Sequence, residues 1–469
     1  MKKFRSGISR DQITLLPKTV EDYVSQEDVV RYVDTFVEEL DLSLIEQEYS
    51  HTGRPGFSPR VLVKLLIYGK LRNIRSSRSL AIAVKENLKF IFLCCDEKPD
   101  FRTISLFRKR FHKELAQILQ TTITIGFESG AITLEHVAID GSLIPAYANN
   151  KSYKSAEYLE EYLKKIERSI QEDITLDEQD DGSSDDDSPT PPLPKGLQNK
   201  EELRRKVKEA ISRHKEETRK SVSITDPDCK LTKIGPAYNG QAAIDENSRM
   251  VVGGYATNAA CDSGELVDVV QDVERRTNKT PHVVIADGGY KTMQGLVYLA
   301  KQGIEGFIPQ SRNGGGEYQL KDFIYEEVSD TYTCPGKRKL VSIGSGKRES
   351  SQGRQYKAEV SCSDCKLKHK CLRNTTKPLL NEQRSLFISE HHDLVRAMED
   401  NVASARGKQM RHKRSSLIET LFAHLKYIRG FTRFQFRGLQ MVNSMWLFEL
   451  AAYNIEKLFR MESKKQLVN

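Results

Sequence analysis

Three acidic residues, far apart along the chain, occur in settings that suit metal chemistry. Asp140 follows the apolar run HVAI, Asp287 follows HVVIA, and Glu419 lies in IETLFAHLK, which has helical spacing. Cleavage of a phosphodiester needs cations beside both the attacking and the leaving oxygen, and two divalent ions roughly 4 Å apart meet that need. Mg2+ prefers hard oxygen ligands and usually binds only a few carboxylates. Two aspartates and one glutamate, gathered by the fold, therefore predict a site that cuts nucleic acid.

An α/β pattern surrounds the two aspartates. TLEHVAID predicts a strand that ends at Asp140, after which Gly141 turns the chain away. YNGQAAID and RMVVGGYATNA predict a hairpin, and then a helix, a strand, a second helix and the strand IEGFIPQ follow. Open α/β sheets bind ligands at the carboxyl ends of their strands. If the strands before Asp140 and Asp287 are neighbours in a catalytic core of residues 131–150 and 221–310, their carboxylates can share one ion.

The third acid lies in a basic stretch. From Ser404 to Arg437 there are nine Lys and Arg residues and a single acid, Glu419. A lone carboxylate there is better explained as a metal ligand beside a DNA-binding surface than as a solvated side chain. Lys426 follows seven residues later, nearly two helical turns or about 10 Å away, so it is placed to contact phosphate. An apolar stripe predicts the buried face of this helix: Leu417, Leu421, Leu425 and Ile428.

Composition limits the class of protein. A chain of 469 residues favours several domains over one core. No apolar stretch approaches eighteen residues and MKKFRSGISRDQ has no apolar segment of a signal peptide, so we expect a cytoplasmic protein without a membrane partner. Residues 151–220 are predicted to be a charged insertion. Its middle, from Gln171 to Thr190, contains nine acids and no base. We interpret this segment as a disordered, solvated linker, and the alternative is that it shields the basic surface.

The first 130 residues have helical patterns. SPRVLVKLLIYGKL, SRSLAIAVKEN and TISLFRKRFHKELAQIL carry apolar residues at helical spacing, and the turn segment CCDEKPD separates the last two. Two short helices with a basic second member predict a DNA-binding helix-turn-helix in which Arg108, Lys109 and Arg110 face the duplex. An ordinary helical bundle with a basic surface explains the same pattern equally well.

Residues 401–469 predict C-terminal core helices that carry the catalytic Glu. Between them, GFTRFQFRG interleaves Phe431, Phe434 and Phe436 with Arg433 and Arg437, a mixture that suits DNA contact. Core packing of the phenylalanines is an equally good interpretation. The last stretch, LQMVNSMWLFELAAYNIEKLF, predicts a core helix that contains the only tryptophan.

Four cysteines in a predicted insertion, residues 311–400, have ligand-like spacing. Cys334, Cys362, Cys365 and Cys371 form the pattern C-x27-C-x2-C-x5-C. In a chain without an export signal such cysteines suit structural Zn2+ better than disulfides, with His369 as a substitute ligand. Uncoordinated thiols and an iron–sulfur cluster are the alternatives. The other four cysteines have no such spacing and are expected to be buried small residues.

The order of these motifs resembles a known family. IDGSLIPAYANN, IADGGY and IETLFAHLKYIRGFTRFQFRG, preceded by a segment such as KPDFRTISLFRKRF, resemble the DDE transposases of bacterial insertion sequences in the broad IS-four and IS-five group. The resemblance implies a ribonuclease-H-like core with Asp140, Asp287 and Glu419 as the metal-binding triad and Lys426 near the phosphates of the element's end. It also implies two Mg2+ ions, with Mn2+ able to substitute, that activate water or the freed 3′-hydroxyl and stabilise the leaving oxygen.

The implied activity is cut-and-paste transposition. Its partners would be double-stranded DNA, namely the terminal inverted repeats and the target, and a second copy of the chain to join two ends, in a bacterial cytoplasm and at the nucleoid. One departure is notable, because related enzymes often carry an Arg four residues and a Tyr seven residues before the Glu. Ser415 and His412 occupy those positions here, with Arg414 and Arg411 as substitutes that would contact DNA together with Arg429.

Two other classes of function fit parts of the pattern. A catalytically silent, transposase-derived protein would bind specific DNA sequences without cutting them. A zinc-containing interaction protein would not bind specific DNA at all. Among the other acids, Asp262 is expected to act as an N-terminal helix acid, for which capping suffices, and it is the acid to test if Asp140 proves dispensable.

Overall fold

We describe the protein from a computed structural model, which describes residues 19–49, 55–180, 195–217, 220–310, 318, 320–348, 351–371 and 383–468. The chain forms two compact units. Unit 1 consists of Met1–Gly126 and His424–Asn469, and unit 2 of Phe127–Ala423. The acidic run predicted to be a disordered linker lies largely outside the described residues.

Unit 1 is helical, as the apolar spacing predicted. The first helices of the chain are α1 (Val29–Glu38), α2 (Ser43–Glu46), α3 (Pro59–Leu71), α4 (Ser77–Glu86), α5 (Leu88–Cys94), α6 (Phe101–Arg110) and α7 (His112–Glu128). The C-terminal helix, Leu439–Val468, packs against α1 and α3 and buries Trp446 completely. The same core contains Phe431 and Phe434, so two of the three interleaved phenylalanines are packing residues.

Unit 2 contains a mixed sheet. The strands in its described part begin with β1 (His136–Pro145), β2 (Tyr153–Lys154), β3 (Val222–Ser223), β4 (Lys230–Thr232), β5 (Gly235–Asp245), β6 (Val251–Thr257), β7 (Val283–Ile285) and β8 (Glu305–Phe307). The order is β4-β5-β1-β7-β8, with β6 on β5. β1, β7 and β8 run parallel, whereas β5 is antiparallel to β1, β4 and β6. This architecture confirms the predicted α/β class and is consistent with a ribonuclease-H-like core.

The first strand is longer than its sequence indicated. β1 does not end at Asp140 but continues to Pro145, because Asp140–Pro145 stay paired with β5. Gly141 is therefore not a turn residue. A Cβ atom at Gly141 would lie only 2.2 Å from Oδ1 of Asp262 and 2.4 Å from Nε2 of Gln241. Glycine is required here because neighbouring side chains approach the strand closely.

Two insertions interrupt the core of unit 2. The first contains the helices α8 (Ala156–Asp180) and α9 (Lys195–Glu217), which pack on each other. Their apolar seam is Leu159, Ile166, Ile170, Val207 and Ala210, with Val222 of β3. The charged insertion therefore has a small core of its own, which the high charge of its sequence did not indicate.

The second insertion is a five-stranded antiparallel sheet. Its strands are β9 (Ile324–Glu326), β10 (Thr331–Thr333), β11 (Lys339–Arg348), β12 (Ser351–Ala358) and β13 (Ser385–Ser389), in the order β13-β12-β11-β10-β9. The remaining helices of unit 2 are α10 (Glu265–Thr277), α11 (Met293–Gln302), α12 (Lys368–Cys371), α13 (His392–Ala403), α14 (Ala405–Arg414) and α15 (Thr420–Ala423). In the described part of the chain, no helix has the length and apolar character needed to cross a membrane.

Candidate active site

The two aspartates lie side by side on parallel strands. β1 and β7 are neighbours whose register pairs His136 with Val283 and Ala138 with Ile285. Asp140 is two residues beyond Ala138, and Asp287 is two residues beyond Ile285. β7 has ended by then, and Asp287 caps a 3-10 turn by accepting a hydrogen bond from the Gly289 amide at 2.7 Å. The strands before Asp140 and Asp287 are therefore neighbours, which is the condition that the sequence set for a shared ion.

One guanidinium group lies between the two carboxylates. Nη2 of Arg414 is 2.7 Å from Oδ2 of Asp140 and 3.9 Å from Oδ2 of Asp287. The side chains of Arg414 and Asp140 are each 17% exposed and that of Asp287 is 43% exposed. Among the residues that the structure describes, the buried Nε of Arg414 has no hydrogen-bond partner. The pair of acids is thus already gathered around a cation.

The surroundings of Asp140 disfavour its negative charge. Burial raises the pKa of Asp140 to about 6, Arg414 opposes this shift, and the negative charges of Asp287 and Asp262 add to it. The Gly141 amide donates to Oδ1 at 2.9 Å and lowers the pKa slightly. Arg414 therefore compensates the acids only in part, and a further cation would be favourable here.

Glu419 is not part of this group. It is exposed, ends the π-helical turn Ser415–Glu419, and accepts a hydrogen bond from the Ser415 hydroxyl. Among the residues that the structure describes, no three His, Cys, Asp or Glu side chains are close enough to hold a metal ion. The structure therefore brings together two of the three predicted ligands. Their oxygens suit Mg2+ in kind, although a third protein ligand is missing.

A π-helical turn lies between Arg414 and Glu419. A π turn closes i→i+5 hydrogen bonds, one residue wider than an α turn. The fifth residue before Glu419 thereby takes the place that an α-helix gives to the fourth, and this residue is Arg414. Arg414 is also the arginine that reaches Asp140. The sequence alone suggested a missing arginine because a π turn has no reliable signature in residue types.

A polar network beside Asp140 was missed at the level of sequence. Oδ1 of Asp262 accepts hydrogen bonds from Asn239 at 2.7 Å and from Gln241 at 2.8 Å. The Tyr290 hydroxyl donates to Oε1 of Gln241, which lies opposite Gly141 in the β1–β5 ladder. The available signal was the polar pair at alternate positions of YNGQAAID, a strand otherwise buried on both faces.

Asp262 does not cap α10, which differs from the prediction. α10 begins at Glu265 with Gly264 as its N-cap. The carboxylate of Asp262 instead accepts the two amide hydrogen bonds from β5 and lowers the local potential at Asp140. Its position next to the aspartate pair makes it a supporting residue of the site.

The predicted DNA-contact residues fall into two groups. Arg108 and Arg429 are buried, which differs from the expectation that they face DNA. Arg108 donates to the Arg75 carbonyl at 2.9 Å and to Gln435, and Arg429 pairs with Glu456. The other cations of the set are exposed or partly exposed, and they are Lys109, Arg110, Arg411, Arg414, Lys426, Arg433 and Arg437. Of these, Arg110 pairs with Glu48.

The apolar stripe around Glu419 is correct except at its end. Leu417, Leu421 and Leu425 are buried, but Ile428 is exposed. The cause is a second π-helical turn, His424–Ile428, whose wider repeat turns Ile428 outward and brings Arg429 to a buried position instead.

The four predicted zinc ligands line one pocket in the second insertion. Cys334, Cys362, Cys365 and Cys371 all border it. The sulfur of Cys334 accepts a hydrogen bond from the Arg338 amide at 3.3 Å, and that of Cys362 from the Arg384 amide at 3.4 Å. Burial raises the pKa of the Cys371 thiol, Arg384 opposes this, and the other three sulfurs add to it. The thiols converge, but not closely enough to form a metal site as they stand.

The remaining cysteines differ among themselves. Cys94 and Cys229 are buried as expected, whereas Cys95 and Cys261 are exposed. Cys95 follows the end of α5 in a left-handed conformation, and the turn carries its side chain outward. The expectation of burial was wrong for these two positions.

Comparison with known families supports the resemblance. Residues 18–110 match a family model described as a transposase domain (DUF772), and residues 333–459 match one described as a transposase DDE domain. The second match includes Glu419, whereas neither includes Asp140 or Asp287. No curated protein matches the chain. The two matches support a DDE transposase, and a DDE domain implies a DNA-processing enzyme.

Proposed function

We propose that this chain is a cut-and-paste transposase that binds the terminal repeats of an insertion sequence, cleaves DNA at them and joins the freed ends to a target. The observation that carries the proposal is the pair Asp140 and Asp287, held side by side on parallel strands around the single cation of Arg414. The transposase matches support DNA as the substrate, and in this proposal it is double-stranded DNA.

Asp140 and Asp287 would hold divalent metal, with Glu419 as the third ligand that the resemblance implies. Their carboxylate oxygens are the donors that Mg2+ prefers, and Mn2+ would substitute. When bound, a pair of such ions supplies charge neutralisation at the attacking and leaving oxygens of the phosphodiester. This donor set also accounts for the burial of Asp140 beside two other acids, which would otherwise only destabilise the fold.

The other residues of the site would position the acids and the DNA. Gln241 and Asn239 hold Asp262 beside Gly141, which fixes the polar edge of the sheet next to Asp140. Exposed cations bind phosphate without reading sequence. In this proposal they are Lys109, Arg110, Arg411, Arg433 and Arg437, while Lys426 contacts phosphate near the element's end.

The test uses the DNA that flanks this reading frame, cloned on both sides of a marker. The wild-type protein should release ends with 3′-hydroxyl groups in Mg2+ and join a pre-cut end to target DNA. The Asp140→Asn variant should bind the same ends and cut neither strand. A matched control is Asp268→Asn, an exposed acid on α10 that should cut normally. Cutting by Asp140→Asn would refute the assignment of the acids.

A second candidate function is favoured by one observation. Glu419 stands apart from the aspartates, as expected of a catalytically silent protein that only binds specific DNA. Such a protein would shift the flanking DNA in a gel but release no ends in Mg2+ or Mn2+. A nuclease without transferase activity would cut the ends and fail to join the pre-cut one, so the same assay separates all three functions.

We further propose that the four converging cysteines hold one structural Zn2+ after small side-chain rotations. The supporting observations are the common pocket and the amide hydrogen bonds to the sulfurs of Cys334 and Cys362. Protein purified without added zinc should contain roughly one equivalent, as expected of a four-cysteine site. Cys362→Ser should lose it and Cys95→Ser, an exposed control, should keep it. Absence of zinc from the wild-type protein would refute this site.

The proposed transposase joins two ends and would therefore act as a homodimer on DNA. Light scattering of the protein with and without a pair of flanking-DNA fragments measures this directly. A complex with one protein copy on two ends would contradict it.

A further inference from the structure

The position of Arg414 conflicts with metal binding by the two aspartates. Its Nη2 atom lies 2.7 Å from Oδ2 of Asp140 and 3.9 Å from Oδ2 of Asp287. Mg2+ binds carboxylate oxygens at about 2.1 Å and keeps several waters around it. A divalent ion bound to these same two oxygens would have to take the position of the guanidinium group, and their like charges repel each other. Arg414 and such an ion would therefore be alternative partners of the same acids.

The segment that carries Arg414 also carries Glu419. Arg414 is the N-terminal flank of the π turn Ser415–Glu419, and Glu419 is its last residue. In the present arrangement Arg414 pairs with Asp140, while Glu419 is held by Ser415 within the same turn. π turns are local irregularities that occur frequently at functional sites. A rearrangement of this one turn would move both side chains together.

We propose that Arg414 is a displaceable internal cation that holds Asp140 and Asp287 together in the metal-free protein and leaves when a divalent ion binds. The same rearrangement of the π turn releases Glu419 from Ser415, so that the departure of the arginine and the arrival of the third carboxylate are one event. The freed guanidinium then pairs with a DNA phosphate. This inference rests on the proposed function only in taking Asp140 and Asp287 as metal ligands.

The guanidinium has a physical reason to be displaceable. Its buried Nε has no hydrogen-bond partner in the described part of the chain, which leaves part of its hydrogen-bonding capacity unused where it lies. A small divalent ion compensates two carboxylates better than one guanidinium does. Exchange is thus favourable at the acids and leaves the arginine available.

The experiment measures Mn2+ affinity by electron paramagnetic resonance without DNA, so it does not depend on activity. Arg414→Gln removes the competing charge and should bind Mn2+ more tightly than the wild type, on the order of tenfold. Lys413→Gln is the matched control, because Lys413 is the adjacent cation and pairs with Glu246 instead. It should bind as the wild type does. Arg414→Lys keeps the positive charge, so it should bind Mn2+ more weakly than Arg414→Gln and about as weakly as the wild type. If Arg414→Gln folds poorly, this variant still tests the role of the charge.

The outcomes separate this inference from the proposed function. If Asp140→Asn binds Mn2+ as the wild type does, the aspartates are not the ligands and both proposals fail. If binding depends on Asp140 but Arg414→Gln has equal or lower affinity, the displacement is refuted while the metal site stands. A purely structural arginine predicts the second result, because its loss would loosen the acids and weaken binding.

Discussion

Each unit of the protein buries a carboxylate among charged groups, and the two clusters are balanced in opposite ways. In unit 1, Glu449 is fully buried and pairs with Lys70 at 2.8 Å and with Arg75 at 2.7 Å. Burial alone would raise the pKa of Glu449, but these cations outweigh it and hold the pKa well below its usual range. In unit 2, Asp140 and Asp287 share the guanidinium group of Arg414, and the pKa of Asp140 rises to about 6.

The difference separates a structural acid from the acid for which we propose a function. Glu449 has two cations beside its one negative charge. Burial lowers the pKa of Lys70 to about 8, Glu449 opposes this shift, and the charge of Arg75 adds to it. Nothing is gained there by a further cation. The aspartate pair has fewer cations than it needs, so the fold retains a cost that only an added cation would relieve. The direction of the imbalance, rather than burial itself, marks the site.

The largest effect is expected on cleavage, from a change that hardly affects stability. Asp287→Asn should abolish DNA cleavage because it removes one of two metal-binding carboxylates. The free energy of unfolding should change by no more than about 0.5 kcal/mol, since Asp287 is 43% exposed. Cleavage and urea unfolding should be measured on the same preparation. Retained cleavage would remove Asp287 from the site.

Glu449→Gln should have the opposite profile. It leaves Lys70 and Arg75 without their buried counter-charge, which typically costs about 3–5 kcal/mol. Urea denaturation measures the loss, and Glu39→Gln, an exposed acid of unit 1, is the control. A loss below about 1 kcal/mol would mean that the cluster is not structural, and the comparison between the two acids would break.

The pH dependence should distinguish the acids as well. Because the folded-state pKa of Asp140 is about 6, protons compete with metal below that pH, and Mn2+ affinity should fall about tenfold per unit. Because the raised pKa favours the protonated form of Asp140 in the folded protein, this carboxyl group contributes stability below pH 3.8. That stability is lost as the pH rises from 3.8 towards 6. The lowered pKa of Glu449 gives stability that is present above 4.5 and lost as pH falls below it. Affinity that stays constant from pH 5 to 8 would contradict the shift of Asp140.

The smallest effect concerns Asp262, the weakest of the influences on Asp140. Asp262→Asn should lower the pKa of Asp140 in the metal-free protein, and Asp287→Asn should lower it further. The carboxyl carbon chemical shift of Asp140 reports both changes. Asp262→Asn should still cleave DNA, because its amide can replace part of the hydrogen bonding to Asn239 and Gln241. An unchanged pKa would show that Asp262 acts through hydrogen bonds alone.

The apolar runs before Asp140 and Asp287 were enough to predict a strand before each acid. That these two strands are neighbours is shown by the structure and was only a condition in the sequence analysis. The length of β1 was not predictable, since its last residues are kept extended by pairing with β5, a strand some hundred positions away. The polar network was hidden for the same reason. The position of Gln241 beside the site follows from the strand register, which pairs it with Gly141.

Errors around Glu419 have one physical cause. The spacing predicted for this segment rests on 3.6 residues per turn, whereas two π turns widen the repeat at Ser415–Glu419 and His424–Ile428. Ile428 is therefore exposed, and Arg414, five residues before Glu419, reaches Asp140. The burial of Arg108 was likewise invisible, because its partners Arg75 and Gln435 are distant along the chain.

In our proposal, Asp140 and Asp287 form a metal site whose cation position Arg414 fills in the metal-free protein. The decisive experiment is a crystal structure with Mn2+ and a DNA end, in which anomalous scattering locates the manganese. We expect a manganese peak about 2 Å from a carboxylate oxygen of each aspartate, with Arg414 moved to a DNA phosphate and Glu419 turned towards the metal. No manganese at these aspartates, or manganese bound there while Arg414 still bridges them, would contradict it.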